Sequence, residues 1–305
     1  MGQKIYFLEN FEYLNGIVNS DDVIENLNKK NIIEVEAIFV KLKYKLDNFF
    51  LNDFSSLKYI VSPTTGITHI DTEYTSTKNI KIISLQGENS FLKDVPSTAE
   101  MTLLLILQII RNFENARQKV LNGKWQRNAI PGSNIKDLRV LIIGYGRVGK
   151  QVADILNFFG AEVYIFDTDS NTKNTNNISL SLEQLKEIKF DIVTIHVNFS
   201  AENENYFDYD FFAKMQSGFS LVNTARGELI CHAGLLKLLN EERVKFCALD
   251  VLPQEPNIDI KLLNALQAFG ERICITPHVA GFTEGSLKMV EEKVYSKYLT
   301  TKENS

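Results

Sequence analysis

The stretch Gly144-Tyr145-Gly146-Arg147-Val148-Gly149 has the residue types and spacing of a phosphate-binding turn. An apolar run precedes it and a helical pattern follows it, which is the context in which a G-x-G-x-x-G stretch binds a dinucleotide. Gly144 permits the tight turn, Gly146 lets the backbone approach a pyrophosphate, and Gly149 lets helix and strand pack closely. The N–H groups and dipole of the helix N-terminus would then face the phosphates.

An acidic residue, Asp167, ends the next predicted strand, where a carboxylate meets the adenosine ribose hydroxyls of a bound dinucleotide. A carboxylate there repels a 2′-phosphate, and the three residues that follow include no arginine to receive one. We therefore expect the cofactor NAD rather than NADP. The alternative is a turn that serves only packing, with Asp167 as a helix cap.

A bound nicotinamide transfers hydride, and hydride transfer to a carbonyl needs a proton donor with a pKa near neutral, which favours histidine. The chain has four histidines, namely His69, His196, His232 and His278. His278 follows the apolar run Ile273–Ile275, so it is predicted in a loop at the carboxyl end of a strand, where doubly wound folds bind ligands. His196 also follows an apolar strand and is the rival candidate.

Three further segments occur in order after the glycine turn: Val222–Ile230, Ala248–Pro256 and Ile275–Thr283. With the turn, they resemble the D-isomer-specific 2-hydroxyacid dehydrogenase family, the group that includes phosphoglycerate dehydrogenases. Thr65–Asp71 resembles the N-terminal substrate loop of that family, so the resemblance covers nearly the whole chain.

The resemblance implies a catalytic triad. Arg226 would bind the substrate carboxylate and polarise its carbonyl with a permanently charged guanidinium. His278 would be the acid/base, and Glu255 would hydrogen-bond His278 and orient it. The chemistry of a 2-keto acid favours the same roles, since it needs a fixed cation for its carboxylate and a proton donor for its carbonyl oxygen.

The resemblance also implies further contacts. The substrate carboxylate would meet backbone N–H groups near Thr65 and Gly66, in addition to Arg226 and His278. Beyond the glycine turn, the cofactor would contact Asp167, His196, Thr224, Ala225 and Asp250, the last through its nicotinamide carboxamide. No metal site is expected.

Strands alternating with helices predict an α/β fold with two Rossmann-like, doubly wound domains. By resemblance, residues 1–97 and 282–305 form a discontinuous substrate domain, and residues 98–281 form the NAD-binding domain. A polar, Asn-rich stretch over residues 171–179 is predicted as a loop.

Two helices are predicted in the N-terminal half of the chain. One covers Asp21 to Lys29. The other starts in a capping box of Ser97 and Glu100 and runs to about Leu121, where Gly123 ends it. Because its first half is apolar on most sides, we expect it to be buried all round and to form the seam of a homodimer, as in the family. Trp125 is interpreted as a core or interface residue.

The composition limits the function classes. A net charge of -5 argues against a nucleic-acid surface. The three cysteines show no C-x-x-C spacing, which argues against a disulfide framework or a zinc site and favours a reducing compartment. Without a signal-type N-terminus or a membrane-length apolar run, we expect a soluble, cytoplasmic protein.

Two stretches depart from the family pattern. Ser84-Leu85-Gln86-Gly87 stands where the family often has Asn-x-Pro-Gly, and Asn198 stands where it commonly has proline. The first departure leaves the identity of the 2-keto or 2-hydroxy acid open. Because the chain ends shortly after the last predicted helix, we expect no regulatory domain and no allosteric control by serine.

A second function class stays open at this point. The family fold also occurs in NAD-sensing corepressors of the C-terminal-binding-protein type, which act by binding partners. An exposed peptide-binding groove would favour that class, whereas the complete triad favours the enzyme.

Overall fold

The computed structural model describes residues 4–125, 131–169 and 177–304. The chain divides into two compact units, Met1–Val95 with Thr283–Ser305, and Pro96–Phe282. Each unit contains one parallel β-sheet. The predicted α/β class with Rossmann-type domains is therefore confirmed.

The first unit has a four-stranded sheet of strands β1 (Ile5–Phe7), β2 (Ala37–Phe39), β3 (Tyr59–Val61) and β4 (Lys81–Ile83), in that order. Its helices are α1 (Asn48–Leu51), α2 (Thr72–Thr77), α3 (Asn89–Leu92) and α10 (Glu284–Glu303). Alternate strand residues face two apolar clusters, one with Phe39 and Val61, the other with Ile38 and Ile60. Both faces are thus covered, as parallel sheets require.

Strands β1 to β4 lie side by side in chain order, so these four strands alone contain no reversal of strand order. The reversal that defines a doubly wound sheet comes from a single parallel bridge between Ile5 and Val23 on the other edge of β1. The Ile24 N–H donates to the Ile5 carbonyl at 2.8 Å. The helix predicted over Asp21–Lys29 is therefore wrong, because pairing with β1 engages backbone groups that a helix would use.

The second unit has a seven-stranded sheet in the order β11-β10-β9-β8-β5-β6-β7. Its strands are β5 (Arg139–Ile143), β6 (Glu162–Phe166), β7 (Ile178–Ser179), β8 (Ile192–Ile195), β9 (Phe219–Asn223), β10 (Val244–Leu249) and β11 (Ile273–Ile275). The strand order switches between β5 and β8, and at such a switch point doubly wound sheets bind ligands. β7 corrects the predicted loop at Ile178 and Ser179, and residues 171–176 of that prediction lie outside the described residues.

Helices of the second unit cover both faces of its sheet. They are α4 (Ser97–Ile110), α5 (Phe113–Leu121), α6 (Arg147–Phe158), α7 (Tyr209–Ala213), α8 (His232–Asn240) and α9 (Ile260–Gln267). Short 3₁₀ helices in the described residues of both units span Glu12–Leu14, Ser20–Asp22, Ile32–Glu34, Ile135–Asp137, Gln184–Glu187, Ala201–Asn203, Gly227–Leu229 and Gly270–Arg272.

The long helix predicted from Ser97 to Leu121 is two helices. Asn112 adopts a left-handed conformation (φ 47°) between α4 and α5, and asparagine tolerates that conformation better than most residues. The predicted capping box is also wrong. The Pro96 carbonyl accepts the first helical hydrogen bonds, so Ser97 lies inside the helix and its hydroxyl is buried.

Helix α4 is not buried all round. Ala99, Leu105, Ile106 and Ile109 are buried against the sheet, whereas Leu104 is 47% exposed. The prediction of a helix buried around its circumference is therefore wrong for the single chain.

Candidate active site

The predicted site residues of the second unit all follow the carboxyl ends of strands. Gly144 follows β5, Asp167 follows β6 and His196 follows β8. Arg226, Glu255 and His278 follow β9, β10 and β11, respectively. Because these strands are parallel, their carboxyl ends lie along one edge of the sheet, so the topology gathers residues far apart in sequence.

The glycine turn has the backbone that its sequence predicts. Gly144 has φ 90°, and a Cβ there would lie 2.8 Å from the carbonyl carbon of His196. A Cβ on Gly149 would lie 2.1 Å from the Gly144 oxygen. A Cβ on Gly146, the residue that precedes α6, would meet nothing within 4 Å, so space remains beside the helix N-terminus. This open cradle fits the pyrophosphate of a dinucleotide.

Asp167 is tied to the same turn. Its Oδ2 accepts the N–H of Tyr145 at 2.5 Å, and its Oδ1 accepts the N–H of Asp169 at 2.8 Å. Each carboxylate oxygen has two lone pairs, so both can still accept ribose hydroxyls. Asp167 therefore supports the turn in addition to its predicted contact with the cofactor.

His278 and Glu255 form a hydrogen-bonded pair. His278 Nδ1 lies 2.5 Å from Glu255 Oε2, and both side chains are largely buried. The other carboxylate oxygen of Glu255 accepts the Leu252 N–H at 2.8 Å, which fixes the orientation of the carboxylate. His278 itself has φ 53°. The structure thus brings together two residues that the sequence separates by a strand and a helix.

The loop that carries His278 is held by Asp250, which is fully buried. The Asp250 carboxylate accepts the Thr276 hydroxyl at 2.5 Å, the Val279 N–H at 3.0 Å and the Ala280 N–H at 2.8 Å. The Asp250 carbonyl accepts the His278 N–H at 2.8 Å. These bonds satisfy a buried charge and give Asp250 a structural task that the sequence did not indicate.

Arg226 lies in a turn after β9. Its Nη1 donates to the Ala225 carbonyl at 2.7 Å. Burial lowers the pKa of the Arg226 guanidinium, while Glu255 and Glu228 oppose that shift. Arginine stays charged despite such a shift, because its ordinary pKa is above 12. The turn therefore presents a fixed, poorly hydrated cation.

Two residues that support this turn were missed by sequence reasoning. Asn223 is fully buried, and its side chain bonds both Ala225 and Arg226. A Cβ on Gly227 would lie 2.0 Å from the Leu252 carbonyl carbon, so only glycine lets the Arg226 turn pack on the loop that leads to Glu255. A polar residue at the end of an apolar strand was the available signal for Asn223.

The rival histidine lies in a different environment. His196 Nε2 is 2.9 Å from the hydroxyl of buried Thr194. Burial lowers the pKa of His196 to about 3, so its imidazole is neutral at neutral pH. A neutral imidazole is a poor proton donor, which favours His278 as the acid/base.

The Thr224 hydroxyl points at helix α4. It lies 2.9 Å from the Thr102 hydroxyl, which itself donates to the Thr98 carbonyl at 2.8 Å. Thr102 has only one hydrogen to donate, so Thr224 must be the donor between the two hydroxyls. Any contact of Thr224 with a cofactor would then involve its backbone or its remaining lone pairs.

In the first unit, the predicted substrate loop follows β3. Thr65 is exposed, and the Thr64 hydroxyl donates to the Gly66 carbonyl at 2.8 Å. The atypical stretch Ser84–Gly87 follows β4 and is tied to α10. Lys297 donates to the Ser84 carbonyl at 2.8 Å and pairs with Glu88 at 2.8 Å. Both loops therefore have defined conformations.

Residues 4–125, 131–169 and 177–304 contain neither a candidate metal site nor a candidate membrane-spanning helix. There, no three side chains of His, Cys, Asp or Glu are grouped so that they could hold a metal ion. No helix in these ranges combines the length and the apolarity needed to cross a membrane.

Comparison with known families identifies the chain. The family described as "D-isomer specific 2-hydroxyacid dehydrogenase, NAD binding domain" matches residues 103–280, which is more than half of the sequence. The chain therefore belongs to this family, and the resemblance predicted from the motifs is confirmed. Residues 103–280 are its NAD-binding domain.

Individual relatives are distant. A D-3-phosphoglycerate dehydrogenase of Bacillus subtilis is 28% identical over 296 residues, covering 94% of this chain and 54% of the relative. The chain thus spans about half the length of that relative. A hydroxypyruvate reductase of Thermotoga maritima is 26% identical over 283 residues, covering 92% of this chain and 89% of the relative.

Solved structures show the same fold. The crystal structure of a D-lactate dehydrogenase from Aquifex aeolicus, complexed with NAD and lactic acid, has a TM-score of 0.79 at 24% identity and covers 98% of this chain and 95% of that one. A D-lactate dehydrogenase from Treponema pallidum has a TM-score of 0.81 at 22% identity and covers 99% of this chain and 97% of that one.

Proposed function

We propose that the chain is an NAD-dependent dehydrogenase that interconverts a 2-keto acid and a D-2-hydroxy acid. The observation that carries the proposal is the His278–Glu255 pair, which follows the same sheet edge as Arg226 and the glycine turn. A proton donor, a carboxylate-binding cation and a dinucleotide cradle are the three groups that this reaction needs. Relatives named for phosphoglycerate, hydroxypyruvate and lactate support the substrate class.

The cofactor would be held by the second unit. The N–H groups at the start of α6 would bind the pyrophosphate, and Asp167 would bind the adenosine ribose. Thr224, Ala225, His196 and Asp250 follow strands of the same sheet and would contact the rest of the cofactor. Bound NADH supplies a hydride from C4 of its nicotinamide ring.

The catalytic residues would act on the substrate as follows. Arg226 binds the carboxylate of the keto acid and polarises the neighbouring carbonyl, with a charge that does not depend on pH near neutrality. Glu255 occupies Nδ1 of His278, so Nε2 is the nitrogen that donates a proton to the carbonyl oxygen during reduction. The carboxylate of Glu255 holds the imidazole ring of His278 in one orientation. In the oxidation direction, the same nitrogen takes the hydroxyl proton.

We assign substrate binding in the first unit to backbone N–H groups near Thr65 and Gly66, by resemblance to the family. The discontinuous first unit would then be the substrate domain. The stretch Ser84–Gly87 lacks the proline that the family often has there, so it is the place where this chain would differ in its choice of acid.

We also infer a homodimer through the α4–α5 region. Leu104, Phe113, Val120 and Leu121 are apolar and between 47% and 64% exposed, and Trp125 is 90% exposed. All five lie within residues 104–125, and exposed apolar groups that form a patch mark protein interfaces, so a second copy of the chain is the partner we expect. Light scattering should give twice the chain mass, and Leu104→Glu should reduce it to one chain.

The activity is tested by mixing the protein with NADH and a panel of 2-keto acids and following the absorbance of NADH. The panel contains glyoxylate, pyruvate, hydroxypyruvate and 3-phosphohydroxypyruvate. We expect turnover of at least one of them, with a product of D configuration for every acid except glyoxylate, whose reduction product is achiral. Tight binding of NADH without turnover of any acid would instead favour a corepressor-type binding protein.

A further inference from the structure

Asn223 is a fully buried polar residue between two catalytic segments. It is the last residue of β9, and its strand pairs with β8 on one side and β10 on the other. An amide in this position is costly unless its hydrogen bonds are satisfied. The partners of Asn223 are therefore informative.

The side chain of Asn223 fastens the Arg226 turn at two points. Its Oδ1 accepts the Ala225 N–H at 2.9 Å, and its Nδ2 donates to the Arg226 carbonyl at 2.9 Å. Together these bonds close the four-residue turn on itself. The direction in which the Arg226 side chain leaves the sheet depends on that closure.

The backbone of Asn223 reaches the other segment. Its carbonyl accepts the Asp250 N–H at 2.9 Å, and Asp250 in turn holds the loop that carries His278. Side chain and backbone thus serve different catalytic residues. A side-chain substitution should disturb the Arg226 turn and leave the connection to the His278 loop in place.

We propose that Asn223 is a positioning residue that sets the guanidinium of Arg226 for the substrate carboxylate, without contacting substrate or cofactor. The proposal rests on the proposed function, because it assumes that Arg226 binds a carboxylate. Loss of the Asn223 amide should weaken binding of the keto acid, whereas proton transfer by His278 and binding of NADH should be preserved.

The test compares two variants and one control. Asn223→Asp keeps the acceptor for Ala225 and replaces the donor to Arg226 by an oxygen. Asn223→Ser is smaller and neutral, so it provides a second variant if a buried carboxylate prevents folding. Val222→Ala is the matched control, since it removes buried packing one residue earlier on β9 and keeps both hydrogen bonds of the turn.

For the Asn223 variants we expect the KM of the best keto acid to rise at least tenfold, with the Kd of NADH within about twofold of the parent. The pH at which kcat reaches half its maximum should not move. Val222→Ala should leave KM within about twofold. If Asn223 had only a structural role, thermal stability would fall in all three variants, and the KM of the keto acid would not rise selectively relative to the Kd of NADH.

Three results with the variants would overturn the proposal while the proposed function stands. The first is an unchanged KM in both Asn223 variants, and the second is an equal loss of keto-acid and NADH binding. The third is a shifted pH profile, which would place Asn223 with His278. If the parent protein binds NADH but turns over none of the panel, the proposed function fails and this role of Asn223 fails with it.

Discussion

The sheet edge of the second unit has two halves that are built differently. In the half formed by β5, β6 and β8, the backbone shapes the turn, since Gly144 and Gly149 are required by contacts that a Cβ would block, and the Asp167 carboxylate supports it. In the half formed by β9, β10 and β11, the key atoms belong to charged side chains, namely Arg226, Glu255 and His278. The first half resembles a binding surface, and the second a set of reactive groups.

Histidine occurs in both halves, and its two environments show what the difference means. Burial of His196 lowers its pKa to about 3. Its Nε2 lies beside the Thr194 hydroxyl. His278 lies against the carboxylate of Glu255. The same residue type after the same kind of strand can therefore lie in different environments, and burial makes His196 a neutral imidazole whereas His278 pairs with a carboxylate.

The largest expected effect is that of His278→Gln in the reactive half. Glutamine cannot deliver a proton, so kcat should fall about a thousandfold, within the range for losing general acid catalysis. The Kd of NADH, measured by fluorescence, should stay within about twofold because the glycine turn is untouched. His196→Gln is the matched control and should lower kcat much less. Equal losses of turnover and NADH binding in His278→Gln would show that the two halves of the sheet edge do not have separate roles in binding and reaction.

A smaller, selective effect is expected for Asp167 in the binding half. Asp167→Asn keeps one oxygen acceptor, which can still serve the Tyr145 N–H, and removes the charge, so NAD should bind about tenfold more weakly while NADP gains relative to it. Asp167→Ala also loses the bond to the Tyr145 N–H and should weaken both cofactors. Isothermal titration with the two cofactors checks this. An unchanged NADP to NAD ratio in Asp167→Asn would contradict the assignment of Asp167 to the ribose.

The last expected effect concerns folding stability and pH rather than turnover or cofactor binding. His196 has a folded pKa of about 3, below its unfolded value of about 6.5, so the unfolded chain binds the proton more readily between these values. Stability from the neutral imidazole is complete above pH 6.5 and decreases as the pH falls toward 3. Between pH 7 and 5 the loss is at most about 2 kcal/mol.

Urea denaturation at pH 7 and pH 5 measures this loss, and His196→Gln should show a smaller decrease in the free energy of unfolding than the parent. A decrease of the same size in both proteins would show that other groups, such as His232, carry the pH dependence. Burial lowers the pKa of His232 to about 4, so the variant should retain part of the slope.

Most of the candidate site could be predicted from the sequence because it follows strong local patterns. The apolar runs predicted the strands that end at Ile143, Phe166 and Ile275, and the residues after them form the site. The contacts that support the site were not predicted from the sequence, although Asn223 at the end of an apolar strand was a signal for one of them. The contact of Gly227 with Leu252 and the two bonds of Asn223 join segments that come together only when the sheet assembles.

The sequence by itself determined the parallel sheets, the glycine turn and which residues are candidates for the reaction, because apolar periodicity and short motifs are local properties of the chain. Tertiary structure alone decided that α4 ends at Ile110, that Val23 pairs with β1 instead of forming a helix, and that His278 rather than His196 meets a carboxylate. These outcomes depend on which backbone and side-chain groups lie nearby in space. Burial and hydrogen-bond partners set them, and residue type contributes where Asn112 adopts its left-handed conformation.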